Sequence, residues 1–364
     1  MVPSVSAMNT FRVEIPQSDL SDLRRRLQSA RWPAQSGSGE WNRGVPVAEL
    51  RSLAAYWADG FDWRAAEARL NAFPQFVTEI DGQRIHFVHV HVRGRRADAL
   101  PLLLIHGWPS TFAEYSAVIA DLAHDHHVVV PSIPGFGFSV PVTGAWEVSR
   151  TAAAFVRLMD SLGYPRYGIQ AGDVGAGIAG AMSRLTPAVT AMHINGPSAH
   201  PFGGPLDLSG LSGVELARAE RFNDLVATGL GYLQLMSTKP WTIGASLVDS
   251  PIGLLAWIYE KFHAWCSVVD RDALLTAVSI YWFTGTGATS AEFIYESMNA
   301  PGTWGAAAAP TGFATFAADT GIRSLLDPAH EAEHWTEYDS GGHFPAVEVP
   351  DLYVSDVLKF FSAR

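Results

Sequence analysis

The apolar positions change their period four times along the chain. In "SDLSDLRRRLQSARW", Leu20, Leu23 and Leu27 recur at helical spacing, which predicts a helix with Ser18 as its N-cap. "VAELRSLAAYWADGFDWRAAEARLNAFPQF" predicts two more helices, broken near Gly60. Trp32, Trp41, Trp57 and Trp63 punctuate this segment and read as anchors onto something larger. From about Ile80 the period shortens. "RIHFVHVHV" alternates as a strand does, and "DALPLLLIHG" is a short apolar run ending in glycine, the pattern of a strand buried on both faces. "HHVVVPSIPGFG" and "RYGIQAG" repeat that design, with a helix between them in "SRTAAAFVRLMDSLG".

Strand–helix–strand repetition predicts an α/β fold with a doubly wound, mostly parallel sheet. The strand pattern then stops. "SPIGLLAWIYEKFHAWCS" and "DALLTAVSIYWFTG" read as helices, as a cap inserted over a sheet would. Strand and loop return at about Pro301, and "PDLYVSDVLKFFSAR" closes the chain with a helix. The expected divisions are residues 1–79 for a helical extension, 80–198 and 301–364 for the two parts of the core, and 199–300 for the cap.

Composition narrows the function classes. A chain of 364 residues with 48% hydrophobic and 17% charged residues folds into a sizeable core. The net charge of −11 and the lack of a basic stripe argue against a nucleic-acid partner and against an anionic membrane surface. One cysteine, Cys266, leaves no internal disulfide and fits a reducing, cytoplasmic setting. The first residues lack a basic stretch followed by an apolar one, so no signal peptide is expected, and no apolar run reaches the ~18 residues of a spanning helix.

The candidate chemistry starts at "YGIQAGDVGAGIAG". Asp173 lies between a predicted strand and a helix expected near Gly175, with small residues on both sides. That is the context of a nucleophile turn of the G-x-Nu-x-G type, with aspartate in place of serine. A carboxylate is ionised at neutral pH without a base, its ordinary pKa being ~3.9. It can displace at a saturated carbon and form an alkyl ester that water then cleaves. The residue type therefore points to epoxide opening or halide displacement. A helix N-cap aspartate is the plainer alternative.

In "LLLIHGWPST", a loop after a strand can aim the Trp108 N–H, together with the Val174 N–H, at the developing oxyanion. His106 reads as orienting this loop, and with Pro109 it borders the substrate space. His343, after two glycines and before the last helix, fits the late histidine of the nucleophile–acid–histidine order, as base for the hydrolytic water. A satisfied surface histidine is its alternative. The acid is expected at Asp319, where "PTGFATFAAD" ends, in preference to Asp327 and Asp339. The spacing of His89 and His91 invites a metal reading, but no acid or cysteine cluster accompanies them, and no metal or cofactor is expected. The aromatic stripe Trp257, Tyr259, Phe262, Trp265 reads as cap core more than as substrate contact.

Together "FRVEIPQSDLSDLRRRLQSARWP", "HGWPST", "PSIPGFGFS", "AGDVGAG", "SPIGLLAWIYEKF", "PTGFATFAAD" and "GGHFPAVEVPDL" resemble the microsomal-type epoxide hydrolases, α/β hydrolases with an N-terminal extension. The resemblance covers nearly the whole chain. It implies Asp173 as nucleophile, His343 as base with Asp319 as its partner, and two cap tyrosines that protonate the epoxide oxygen. Tyr232 matches the first tyrosine. The second is expected where Ile294 stands, with Tyr295 one residue later. Val174 replaces a customary tryptophan and Ala317 a customary proline.

The resemblance further implies a small-molecule epoxide and water as partners, a bulky aryl or natural-product substrate as one reading of the departures, no membrane anchor, and N-terminal helices that leave a homodimer open. The rival readings are a haloalkane-dehalogenase-like hydrolase and a catalytically weakened binding or ring-opening protein.

Overall fold

The computed structural model describes residues 7–34, 37, 39–93, 99–197, 203–301, 305–362 and 364. Its described strands are β1 (Asn9–Phe11), β2 (Gln75–Ile80), β3 (Gln83–Val90), β4 (Leu102–Ile105), β5 (Val128–Pro131), β6 (Tyr167–Ala171), β7 (Val189–Asn195), β8 (Thr311–Thr315) and β9 (His334–Glu337). They form one sheet in the order β1-β2-β3-β5-β4-β6-β7-β8-β9. From β1 to β5 neighbours run antiparallel, and from β5 to β9 they run parallel.

The central strands are apolar without interruption because both faces are covered. Alternate residues point to opposite faces. Leu103 and Ile105 therefore enter one core cluster, and Leu102 and Leu104 the other.

The extension supplies α1 (Gln17–Gln28), α2 (Val47–Asp59) and α3 (Trp63–Leu70), the last two broken at Gly60. Helix α1 begins before the expected cap. Pro16, at φ −55°, presets its first turn, and the Ser18 hydroxyl turns to Asp19 instead. The extension is also not wholly helical, because β1 and β2 add two strands to the sheet. Three residues, mostly exposed, leave no alternation to read. Strand β1 is held by Phe11, whose ring meets His86 at 4.9 Å and Phe138 at 5.1 Å.

Three of the four tryptophans fasten the extension, while the Trp32 ring carries Arg51 of the extension's own α2. Trp57 Nε1 donates to Ser279 Oγ at 2.9 Å, Trp63 meets Phe283 at 5.1 Å, and Trp41 stacks on His263 at 3.5 Å. All three partners belong to the helical region that follows β7.

Core helices α4 (Ile119–Asp125), α5 (Val148–Ser161) and α6 (Asp173–Leu185) alternate with the strands. The junction expected at residues 198–199 lies outside the described residues. Beyond it come α7 (Gly213–Asp224), a π-helical turn over Leu225–Gly229, α8 (Gly231–Thr238), α9 (Pro240–Asp249), α10 (Pro251–Trp265), α11 (Arg271–Thr284) and α12 (Thr286–Asn299). Short helices α13 (Arg323–Leu326) and α14 (Pro345–Glu348) precede α15 (Pro350–Phe361). Among the described residues no single helix is long and apolar enough to cross a membrane.

A polar staple fixes the far edge of the sheet. Buried Asp356 on α15 accepts from His193 Nε2 at 2.8 Å, His334 Nε2 at 3.0 Å and Tyr338 Oη at 3.0 Å, tying the helix to β7 and β9. Burial pushes the Asp356 carboxyl up, and the donors from His193 and His334 outweigh it, so the group is held well below the usual carboxylate range. A depressed carboxyl adds stability above its unfolded value and loses it as pH falls through its folded one. Asp356→Asn is expected to cost about 3 kcal/mol at neutral pH. The gap to the wild type should narrow below pH ~4. Urea unfolding at several pH values checks both; an undiminished gap at low pH would contradict the charge argument.

Candidate active site

Strand β6 ends at Ala171 and α6 starts at Asp173, two residues earlier than the sequence suggested. Asp173 itself adopts a left-handed backbone, φ 49°. A non-glycine residue there is strained by ~1–3 kcal/mol and persists only where its surroundings dictate it. Those surroundings are tight. A side chain at Gly175 would run into the backbone carbonyl of Ile105, and one at Gly107 into the Asp173 carboxylate.

With that clearance Asp173 Oδ1 accepts the Trp108 N–H at 2.8 Å. The Val174 N–H, in the first turn of α6, is one of the donors a helix start leaves without an intrahelical partner. Trp108 continues through a cis peptide to Pro109. His106 is buried and uses both ring nitrogens on the loops: Nδ1 on Gly107 O at 3.0 Å, and Nε2 taking the Ile133 N–H at 3.2 Å. Burial lowers its pKa to about 4, so it is neutral.

His343 Nε2 stands 3.7 Å from Asp173 Oδ2. Its own N–H donates to Trp265 O at 3.0 Å, and its ring lies 5.0 Å from the Trp265 ring. Burial lowers the imidazole pKa, and the charges of Asp173 and Glu348 push back. Glu348 takes the Phe344 N–H at 3.1 Å and both the N–H and hydroxyl of Ser267, at 2.6 and 2.8 Å.

Strand β8 stops at Thr315, and Asp319 follows on the next turn. Its Oδ2 accepts the Phe316 N–H at 2.7 Å, and no direct hydrogen bond joins it to His343. Burial raises the Asp319 carboxyl to about 7 against the pull of that N–H and of Arg218 and Arg221. Asp327 instead closes its own loop through the Glu331 and Ala332 N–H groups.

The cap closes over Asp173 with aromatic rings. Tyr232 on α8 stacks on Trp108 at 4.9 Å and meets the Trp265 ring at 5.6 Å. Burial, then the charges of Asp173 and Glu260, push its phenol far up. Trp265 therefore leaves the aromatic stripe and faces the site, while Phe262 packs on Phe344 at 4.4 Å. On α12 Ile294 is buried and Tyr295 is half-buried. The structure adds Tyr281, which sequence reading passed over. It is buried, donates to Ser110 O at 3.0 Å, and has its phenol pushed up by burial and by Asp173.

A protein of Stigmatella aurantiaca assigned to the epoxide hydrolases is 39% identical over 96% of this chain and 84% of its own. The chain belongs to the epoxide hydrolase family. Within it, the family described as epoxide hydrolase N terminus matches residues 8–115, and the α/β hydrolase fold matches residues 101–225. Epoxide hydrolase 1 of Sus scrofa is 32% identical over 97% of this chain and 88% of its own. The structure of Aspergillus niger epoxide hydrolase superposes with a TM-score of 0.89 at 30% identity, covering 98% of this chain and 96% of that one. The resemblance read from the motifs, and the α/β-hydrolase fold with it, is thus borne out.

Two further features of this epoxide hydrolase bear on the site. A void of about 10 Å³ is bounded by Gly107, Glu114, Asp173, Asn195 and His343. Burial raises the Glu114 carboxyl to about 7, the Ser110 hydroxyl lowering it and Asp173 raising it further. A larger cleft of about 270 Å³, between Ala34 and Val47, holds none of the candidate site residues.

Among the described residues, the group with metal-ligand geometry is His193, His334 and Asp356, not His89 and His91. Its hydrogen bonds put the ring protons on the Nε2 atoms that face Asp356. A metal would move the His193 proton to Nδ1, which is buried without a partner. The staple suits protons better than an ion.

His343 should titrate below the ordinary histidine value of about 6.5. Removing the Asp173 charge should lower it further. Histidine NMR of the wild type and Asp173→Asn checks this. A variant value above that of the wild type would contradict the assignment of the causes.

Proposed function

We propose that this enzyme opens an epoxide to a vicinal diol in two covalent steps on Asp173. The observation that carries the reading is the division of labour between the two Asp173 oxygens: Oδ1 is tied to the Trp108 N–H, and Oδ2 is left facing His343. Oδ2 attacks an epoxide carbon and the ring C–O bond breaks. Tyr232, assisted by Tyr295, gives its proton to the departing oxygen, which becomes the first hydroxyl. Oδ1 is then the carbonyl oxygen of an alkyl ester.

Water next adds to Cγ, giving its proton to His343, while the Trp108 and Val174 N–H groups hold the negative charge that builds on Oδ1. Asp319 supports the imidazolium. The intermediate collapses, the alkoxide takes the imidazolium proton as the second hydroxyl, and Asp173 sheds its proton, which restores the tyrosine through solvent. The void between Glu114, Asp173, Asn195 and His343 gives that water a seat. Its size is at the lower bound of what one water needs, about 10–15 Å³.

The packed rings of Trp108, Tyr232 and Trp265 make an apolar, aromatic wall, which favours apolar aryl or alkyl epoxides. Halide displacement fits less well, because the residue after the nucleophile is not an indole that could hold a halide.

With a panel of aryl and alkyl epoxides, diol formation is expected to vanish in Asp173→Ala. It should fall at least ~100-fold in His343→Gln, the usual scale for a lost base. His343→Gln should also accumulate an adduct of enzyme plus one epoxide by intact-mass analysis. Turnover in Asp173→Ala would overturn the nucleophile. A His343→Gln enzyme with neither adduct nor turnover would overturn the two-step order. Tyr232→Phe is expected to slow adduct formation without slowing adduct hydrolysis, as single-turnover measurements would show.

A further inference from the structure

Lys261 is a buried cation that the reaction above leaves without a role. It lies on α10, 3% exposed, with Nζ 4.2 Å from the centroid of the Tyr232 ring and 5.7 Å from that of Trp265. A lysine almost never gives up water unless something replaces it. Here Glu260 pairs with the ammonium at 2.5 Å, and the Gly229 carbonyl accepts from it at 3.3 Å. That carbonyl is delivered by the π-helical turn Leu225–Gly229, immediately ahead of α8 and Tyr232. Trp108 also lies against the ring, in near-parallel stacking with 7° between the planes. The phenol ring thus has an indole stacked on it and an ammonium over it, and it lies close enough to Asp173 to feel that charge.

We propose that Lys261 is a positioning residue for epoxide opening, its ammonium stabilising the negative charge that develops on Tyr232 as the phenol gives up its proton. This rests on the reading of Tyr232 as proton donor. The physical argument is one of sign. Burial and the carboxylates of Asp173 and Glu260 all oppose charge on the phenol. A phenol so opposed is a poor acid. Among the described residues, the cation set over the Tyr232 ring is Lys261. Its attraction to the ring grows as the neutral phenol becomes phenolate, so it acts more strongly in the transition state than before it. Burial also lowers the Lys261 pKa, with Glu260 holding it up. The ammonium should therefore lose its proton at high pH before the phenol does, and alkylation should slow with it.

The test measures the alkylation rate in the His343→Gln background, with styrene oxide as the probe. Lys261→Met is expected to slow alkylation about tenfold or more, the scale of a desolvated cation–ring contact. In a Tyr232→Phe background the same change should cost less than about twofold, since the charge it serves is gone. Lys261→Arg keeps the charge but does not titrate. It should alkylate near the parent rate and move the alkaline fall to higher pH, which a packing role alone would not do.

The proposal is overturned if Lys261→Met alkylates at the parent rate, if its loss is the same with and without the Tyr232 hydroxyl, or if Lys261→Arg leaves the alkaline fall in place. Should Lys261→Met fail to fold, the arginine variant decides alone. If Tyr232→Phe by itself leaves alkylation unchanged, the proton-donor reading has failed instead.

Discussion

The site depends on one close approach, that of the loop after β4 to the turn after β6. The two strands are neighbours in the parallel part of the sheet, so both loops leave from the same edge. Asp173 can reach the Trp108 N–H only because Gly107 and Gly175 offer no side chain to hold the loops apart. The same approach forces Asp173 into its left-handed backbone and starts α6 at that residue. Strain, hydrogen bond and helix start are therefore three consequences of one distance between two chain segments, and the local sequence of small residues is what permits that distance.

The rest of the molecule brings a histidine and a lid to that point. His343 is fixed by its N–H on Trp265 O, so the final core loop is registered directly against α10 of the cap. Glu348 repeats the tie through Ser267. The cap is in turn held from outside by Trp41, Trp57 and Trp63 of the extension. An alteration in the extension therefore reaches the active site through packing, although none of its residues lines the void beside Asp173.

Sequence patterning exposed whatever was repetitive or chemically unusual. The runs before Gly107 and Gly172 read as buried strands because nothing polar interrupts them. Asp173 and His343 stood out because a charged or titratable residue among glycines is unusual. Other features were silent for physical reasons. Strand β1 is too short to show a period. Pro16 takes over a helix start that Ser18, two residues later, suggests from the sequence. Asp319 was chosen from its place after a strand, yet its carboxyl is fixed by the turn's own Phe316 N–H and not by His343, a detail of loop geometry. Glu114 and Lys261 lie in helical stretches where an acid or lysine reads as a solvated surface position. Only the folded chain turns them inward.

The charge at the site explains why a neutral substrate suits it. Asp173, Glu114 and Glu348 gather about His343, and Asp319 lies within reach of the Glu348 charge. Each added carboxylate makes the next harder to ionise, and burial carries Glu114 and Asp319 up to about 7. An anionic substrate would add to this repulsion. On the proposed mechanism a neutral epoxide relieves it, since alkylation would turn Asp173 from a carboxylate into an ester. The change also reaches His343, because the Asp173 charge is one of the influences that hold its pKa up. Once Asp173 is esterified that support is gone, the imidazole stays neutral to lower pH, and it is in the form that can take a proton from water. On that mechanism the first step would thus prepare His343 for the second.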